Sequence, residues 1–348
     1  MLVIFIVIFV VAAISTLIFW NGGWDKIRVA VFASTVMGFV FLIPVYLGVK
    51  ESSGEDYMIL NGYVTGKEKK KVSCEHSYQC NCITTTINKT PTTTCQTCHE
   101  HNYDFAWIVK SSVGSSVIRN VDRRGEKEPP RFTQAIIGEP FSKQDTYFNY
   151  IRASPLSVFK DYNAYKDLET PTYPKVFDYY RVSHVVNWKS EYVSGVRSFD
   201  KMLAERLKVV SGKVKANVVV IFYGGDDSMI EATKVKNFGG RINDLTIMIK
   251  ADKDGIIKRV GVFSWSKNSM VDVVIRDEII GFGQLNDINN VKVVDMIGDT
   301  MLKYYQHRDK EEFKYLEANI EMPKWFLFYE LFVAMVIICL NFVFRNKL

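Results

Sequence analysis

The chain has 348 residues, with 44 Lys and Arg against 38 Asp and Glu, a formal net charge of +6 and six cysteines. Basic and acidic residues alternate over most of its polar part, which reads as a solvated surface. No basic stripe joined to a recognition motif is visible, so the composition argues against a nucleic-acid partner.

In chain order, residues 1–20 and 29–49 come first, two apolar runs without a charged side chain. A third, 325–344, closes the chain and holds one ionisable residue, Glu330. Each is about 20 residues, the length a helix needs to cross a bilayer core. The first run lacks a basic n-region and is too long for a cleaved signal peptide, so it reads as a retained helix. Lys26 and Arg28 in the short loop and Arg345 and Lys347 in the tail put those segments in the cytoplasm by the positive-inside rule. The expectation is a three-span, multi-pass membrane protein with its N-terminus outside, its C-terminus cytoplasmic and a large periplasmic or extracellular region. The lipid bilayer and another envelope or membrane protein are the expected partners, with the spans as anchors.

The polar region opens with short apolar stretches and glycine breaks, then Lys67-Glu68-Lys69-Lys70-Lys71, the one dense basic patch, read as a solvated loop. A cluster follows: Cys74, His76, Cys80, Cys82, Cys95, Cys98, His99 and His101. Three chemistries compete for it. Cys80-x-Cys82 and Cys95-x-x-Cys98 are close pairs suited to a tetrahedral zinc site, with His76, His99 and His101 as further ligands. An oxidising compartment would instead join the cysteines as disulfides. Cys95-Gln96-Thr97-Cys98-His99 also matches the C-x-x-C-H attachment pattern for covalent haem, although the other cysteines nearby would interfere with attachment. Residues 103–113 alternate as a strand, and 145–157 suit a short helix broken at Pro155.

From about Ser198 helical spacing (Phe199, Met202, Leu203, Leu207, Val210) predicts a helix. Asn217–Tyr223, NVVVIFY, is a continuous apolar run as expected of a strand buried on both faces. An acidic turn with Asp226 and Asp227, a helix over 229–237, a strand over 245–250 entered through Asn243 and Asp244, and a third strand over 256–263 follow. A fourth strand is expected at 271–275, then helices over 289–307 and 311–319.

This order, with NVVVIFYGGDD and GGRINDLTIMI, resembles the TPM-domain family over about residues 198–305. Membrane-attached members of that family act outside the cytosol, and the resemblance implies either a partner in complex assembly or a metal-dependent phosphatase. Carried over by position, Asp226, Asp227, Asn243 and Asp244 would hold Ca²⁺ or Mg²⁺ through oxygen. Helix capping and turn formation account for the same residues without a cation. The whole chain also resembles a group of phage and bacterial membrane proteins that share the cysteine cluster. The expected class is α+β: three transmembrane helices and an α/β-sandwich ectodomain over 197–320, preceded by a β-rich Cys/His segment over 50–196. No catalytic residue is assigned, and a binding or assembly role at the envelope is the expected function, with the phosphatase and a haem-bearing redox protein as alternatives.

Overall fold

The computed structural model describes residues 54–320, apart from 88–89, 155–156, 158, 160–164 and 166, together with residues 325, 328, 332 and 335. The chain divides into two units. One comprises Met1–Asp56, Thr146–Asp161 and Asp309–Leu348, the other Tyr57–Asp145 and Tyr162–Arg308.

The first half supplies β1 (Glu55–Val72), β2 (Ser77–Ile87), β3 (Thr90–His99), β4 (Asp104–Ser111), β5 (Gly114–Ile118), the short helix α1 (Pro130–Gln134) and β6 (Pro140–Phe148). Four of these strands form a sheet in the order β5-β4-β1-β6, while β2 and β3 form a separate two-stranded sheet. Residues Val64–Val72 of β1 run antiparallel to β4, with Lys69 opposite Trp107 and Val72 opposite Asp104. Alternation sends Trp107 and Val109 into a core with Val64, Ile118, Phe132, Phe141 and Tyr180. None of the described side chains of the β2–β3 hairpin is buried, so these build no core.

The second half adds α2 (Tyr150–Ala153), β7 (Val185–Trp188), α3 (Val196–Val214), β8 (Asn217–Tyr223), α4 (Met229–Lys236), β9 (Asp244–Ala251), β10 (Ile257–Ser264), α5 (Met270–Phe282) and α6 (Asp287–Tyr304), then a 3₁₀ helix over Lys310–Asn319. The sheet order is β10-β9-β8-β7, with β7, β8 and β9 parallel and β10 antiparallel at the edge. Every residue of β8 is buried, because helices cover both faces. On one face Val218, Val220 and Phe222 meet Phe199, Leu203 and Leu207 of α3 and Val293, Ile297 and Met301 of α6. On the other, Val219, Ile221 and Tyr223 pack with Met229 of α4, Tyr173 and Phe263. In the smaller unit, Asn149 caps α2 by accepting the Arg152 amide at 3.1 Å and donates to Asp56 at 2.8 Å.

The α+β class holds, but the three-span architecture does not. Among the described residues no helix is long and apolar enough to cross a membrane. The longest, α3 and α6, carry charged side chains on their outer faces. The described structure therefore does not support the membrane fold or the multi-pass, N-terminus-out localisation. The apolar runs at 1–20 and 29–49 lie outside the described residues, as does 325–344 but for its four described positions. Other expectations also change. Residues 271–275 belong to α5, because Val271, Ile275 and Ile279 fall one turn apart and fill one core. The lysine run is strand rather than loop, and Asp145–Phe148 extends β6 ahead of α2.

Candidate metal centre

Two connections, β1 to β2 and β3 to β4, run side by side at the stem of the hairpin, where the Glu100 amide donates to the His76 carbonyl at 3.0 Å. They bring together Cys74 and His76 from the first, His101 from the second and Asp104, the first residue of β4. The four ligand atoms all lie within 4.8 Å of one another. Cys74 Sγ is 3.7 Å from His101 Nδ1, which is 3.0 Å from Asp104 Oδ1, and His76 Nδ1 is 3.3 Å from Asp104 Oδ2. Cys74 and Asp104 are buried, while the two imidazoles are partly open to solvent.

These separations suit a small cation. Zinc bonds of about 2.0–2.1 Å to nitrogen or oxygen and about 2.3 Å to sulfur, set tetrahedrally, hold neighbouring donors roughly 3.3–3.6 Å apart. Both histidines turn Nδ1 inward, so the four side chains already converge on one point. The electrostatics agree with a ligand role. Burial opposes ionisation of Asp104, but hydrogen bonds from Cys74, the Glu75 amide, His76 and His101 outweigh it and hold the carboxyl below the usual carboxylate range. A cavity of about 520 Å³ opens beside the cluster, with His76 and Asp104 in its wall. Its acids, Glu75, Asp104 and Asp122, are offset by Arg119 and Arg123.

The ligand set expected from the sequence is redistributed. Cys80 is joined to Cys98 and Cys82 to Cys95, with Cα–Cα distances of 5.8 and 4.0 Å. A disulfide sulfur is not a thiolate, so these four cysteines staple the hairpin instead of holding a metal. Pairing of Cys95 and Cys98 with different partners also leaves no thiol in the C-x-x-C-H pattern for haem attachment. His76 and His101 do join the cluster, whereas His99 sits exposed opposite Ser77 on the hairpin. In the sequence Cys74 stands in the cluster but not among the expected ligands, and Asp104 stands outside it. The signal is the nested order: Cys74-x-His76 and His101-x-x-Asp104 bracket the four disulfide cysteines symmetrically.

The acidic residues do not converge. β8 and β9 are parallel, with Asn217 opposite Asp244, so Asp244 stands at the start of β8 and Asp226 and Asp227 follow its end. Seven residues of strand separate the two groups by roughly 20 Å. Asp227 is paired with Lys250 at 3.0 Å and Arg259 at 3.3 Å, and Asp226 accepts the Ser228 amide at 2.7 Å. Asn243 and Asp244 are fully buried and stitch β1 to the α/β sheet. Asn243 donates to the Ile59 carbonyl at 2.7 Å, and Asn217 donates to Asp244 at 2.9 Å and accepts from Asn61 at 2.7 Å.

Comparison with known proteins gives no matching family model, no matching curated protein and no matching solved structure. The resemblances to TPM domains and to phage and bacterial membrane proteins therefore rest on sequence pattern alone.

Proposed function

We propose that this protein is a binding or assembly module of an oxidising compartment, in which zinc at Cys74, His76, His101 and Asp104 locks the stem of a disulfide-stapled arm. The observation that carries the reading is the convergence of four donors of the right chemistry within 4.8 Å. One thiolate, two imidazoles and one carboxylate complete a tetrahedron, and a closed set of protein ligands is the mark of a structural rather than a catalytic zinc. Two disulfides in a hairpin without a core support an extracytoplasmic setting, where thiols are oxidised. The arm that results, β2–β3, leaves most of its described side chains exposed, with Tyr78 and Ile83 facing solvent, and is the element offered to another extracytoplasmic protein. A phosphatase built on Asp226, Asp227 and Asp244 finds no support, because those carboxylates stand at opposite ends of β8.

Cobalt substitution tests the reading. Full-length protein loaded with Co²⁺ should show tetrahedral d–d bands and a thiolate charge-transfer band. Cys74→Ser should remove the second, and trypsin should then cut within 77–99 faster than in the parent. An octahedral spectrum, or a charge-transfer band that survives Cys74→Ser, would overturn it.

A further inference from the structure

The run Lys67-Glu68-Lys69-Lys70-Lys71 lies in the outer half of β1, and alternation puts Lys67, Lys69 and Lys71 on one face. On that face each ammonium rests over an aromatic ring from another element. Lys67 stands 4.6 Å from the Phe132 ring, Lys69 4.2 Å from Phe105 and 4.6 Å from Trp107, and Lys71 4.3 Å from Tyr103. All three lysines are exposed. Lys67 and Lys69 also donate to the carbonyls of Thr133 and Glu126, at 3.2 and 3.1 Å, which holds them without cancelling their charge. The acids nearby are engaged elsewhere: Glu68 pairs with Lys110 at 2.6 Å and Glu126 with Arg124 at 2.9 Å. Among the described residues no carboxylate forms an ion pair with Lys67, Lys69 or Lys71.

We propose that this face is a docking strip for an acidic polysaccharide, with Lys67, Lys69 and Lys71 meeting successive acid groups along the polymer. Strand geometry spaces the three cations roughly 7 Å apart, over about 13 Å in all. Their side chains are already ordered by the rings beneath them, so binding forfeits little further rotamer freedom. A row of uncancelled charges at fixed intervals complements a linear polyanion better than a single acidic side chain. Nucleic acid fits less well, because the ammoniums cover the ring faces on which bases would stack. The disulfides of the neighbouring hairpin also favour a compartment where acidic polysaccharides occur.

The test uses full-length protein and fluorescent heparin, titrated over a range of NaCl. Binding should weaken steeply with salt, and Lys67→Gln, Lys69→Gln and Lys71→Gln together should lower affinity about tenfold or more at 0.15 M salt, by loss of released counterions. The charge-matched control Lys201→Gln, Lys213→Gln and Lys292→Gln should bind as the parent does. Should the triple variant fail to fold by circular dichroism, Lys71→Gln alone, which breaks no carbonyl bond, should lower affinity severalfold, and Lys71→Arg should restore it. Equal binding by the strip variant and the control would overturn the proposal. So would tighter binding of single-stranded DNA, or of anionic lipid vesicles, than of heparin through the same lysines.

Discussion

Acidification should destabilise the protein through one buried imidazole. His184 is 2 % exposed, and its Nδ1 lies 3.2 Å from the Val218 carbonyl oxygen. Burial pushes its pKa down from 6.5 to about 4, only partly opposed by the Val218 carbonyl and the Asn217 side chain. The unfolded chain therefore binds a proton between those two values that the folded chain refuses. The full stability is present above the unfolded value and is lost as pH falls through the window, with the loss complete near the folded value. At 1.36 kcal/mol per tenfold in proton affinity, the gap from 6.5 to about 4 amounts to about 3 kcal/mol. Asp200 and Asp272, whose burial raises their carboxyls, act in the opposite direction, so the His184 contribution must be isolated by difference. Urea unfolding of the parent and of His184→Gln at intervals from pH 7.5 to 4 provides that difference. The parent should lose about 3 kcal/mol more than the variant across the range. Parallel curves for the two proteins would refute the reasoning.

Further predictions concern the staples, the core and the buried polar network. Replacing Cys80 and Cys98 by serine leaves Cys82–Cys95 closing the tip, so it frees only the short stem between the two bridges and should cost the hairpin about 2 kcal/mol, read as faster proteolysis within 77–99 while the rest resists. Phe222→Ala removes a fully buried ring packed 5.1 Å from Tyr192 and 5.8 Å from Phe199, and should lower stability by about 3–5 kcal/mol in denaturant unfolding. Asn61→Ala strands Ser142 Oγ, which donates to it at 2.7 Å, and Asn217 Oδ1. It should cost about 2–4 kcal/mol, whereas Asp226→Ala at the exposed turn should leave the thermal midpoint close to that of the parent.

The α/β half was legible because its strands are continuous apolar runs and its helices repeat on one face. NVVVIFY is β8, Leu245–Lys250 falls within β9, and Phe199, Leu203 and Leu207 line one side of α3. VDVVI at 271–275 misled, since β-branched residues favour a strand until Val271, Ile275 and Ile279 are seen to share a helical face. Strand direction was invisible in the order of residues. Asp226 and Asp244 suggest convergence only if the ends of β8 and the start of β9 meet, and parallel pairing keeps them apart. Cysteine spacing alone was equally mute about the choice between thiolate and disulfide. Zinc and disulfide chemistries use the same residues, and only the folded hairpin brings Cys80 within 5.8 Å of Cys98 and Cys82 within 4.0 Å of Cys95, Cα to Cα, inside or near bridging distance. Asp104 carries no motif of its own and joins the cluster only because β4 begins beside the end of β1.

Metal content per folded chain tests the centre most directly. After dialysis against buffered zinc, the parent and the Cys80→Ser, Cys98→Ser variant should each retain about one zinc per chain, as a single tetrahedral site with four protein ligands requires. Cys74→Ala with Asp104→Ala should retain none. A metal-free parent, or zinc that departs with the hairpin cysteines and survives the loss of Cys74 and Asp104, would contradict the account.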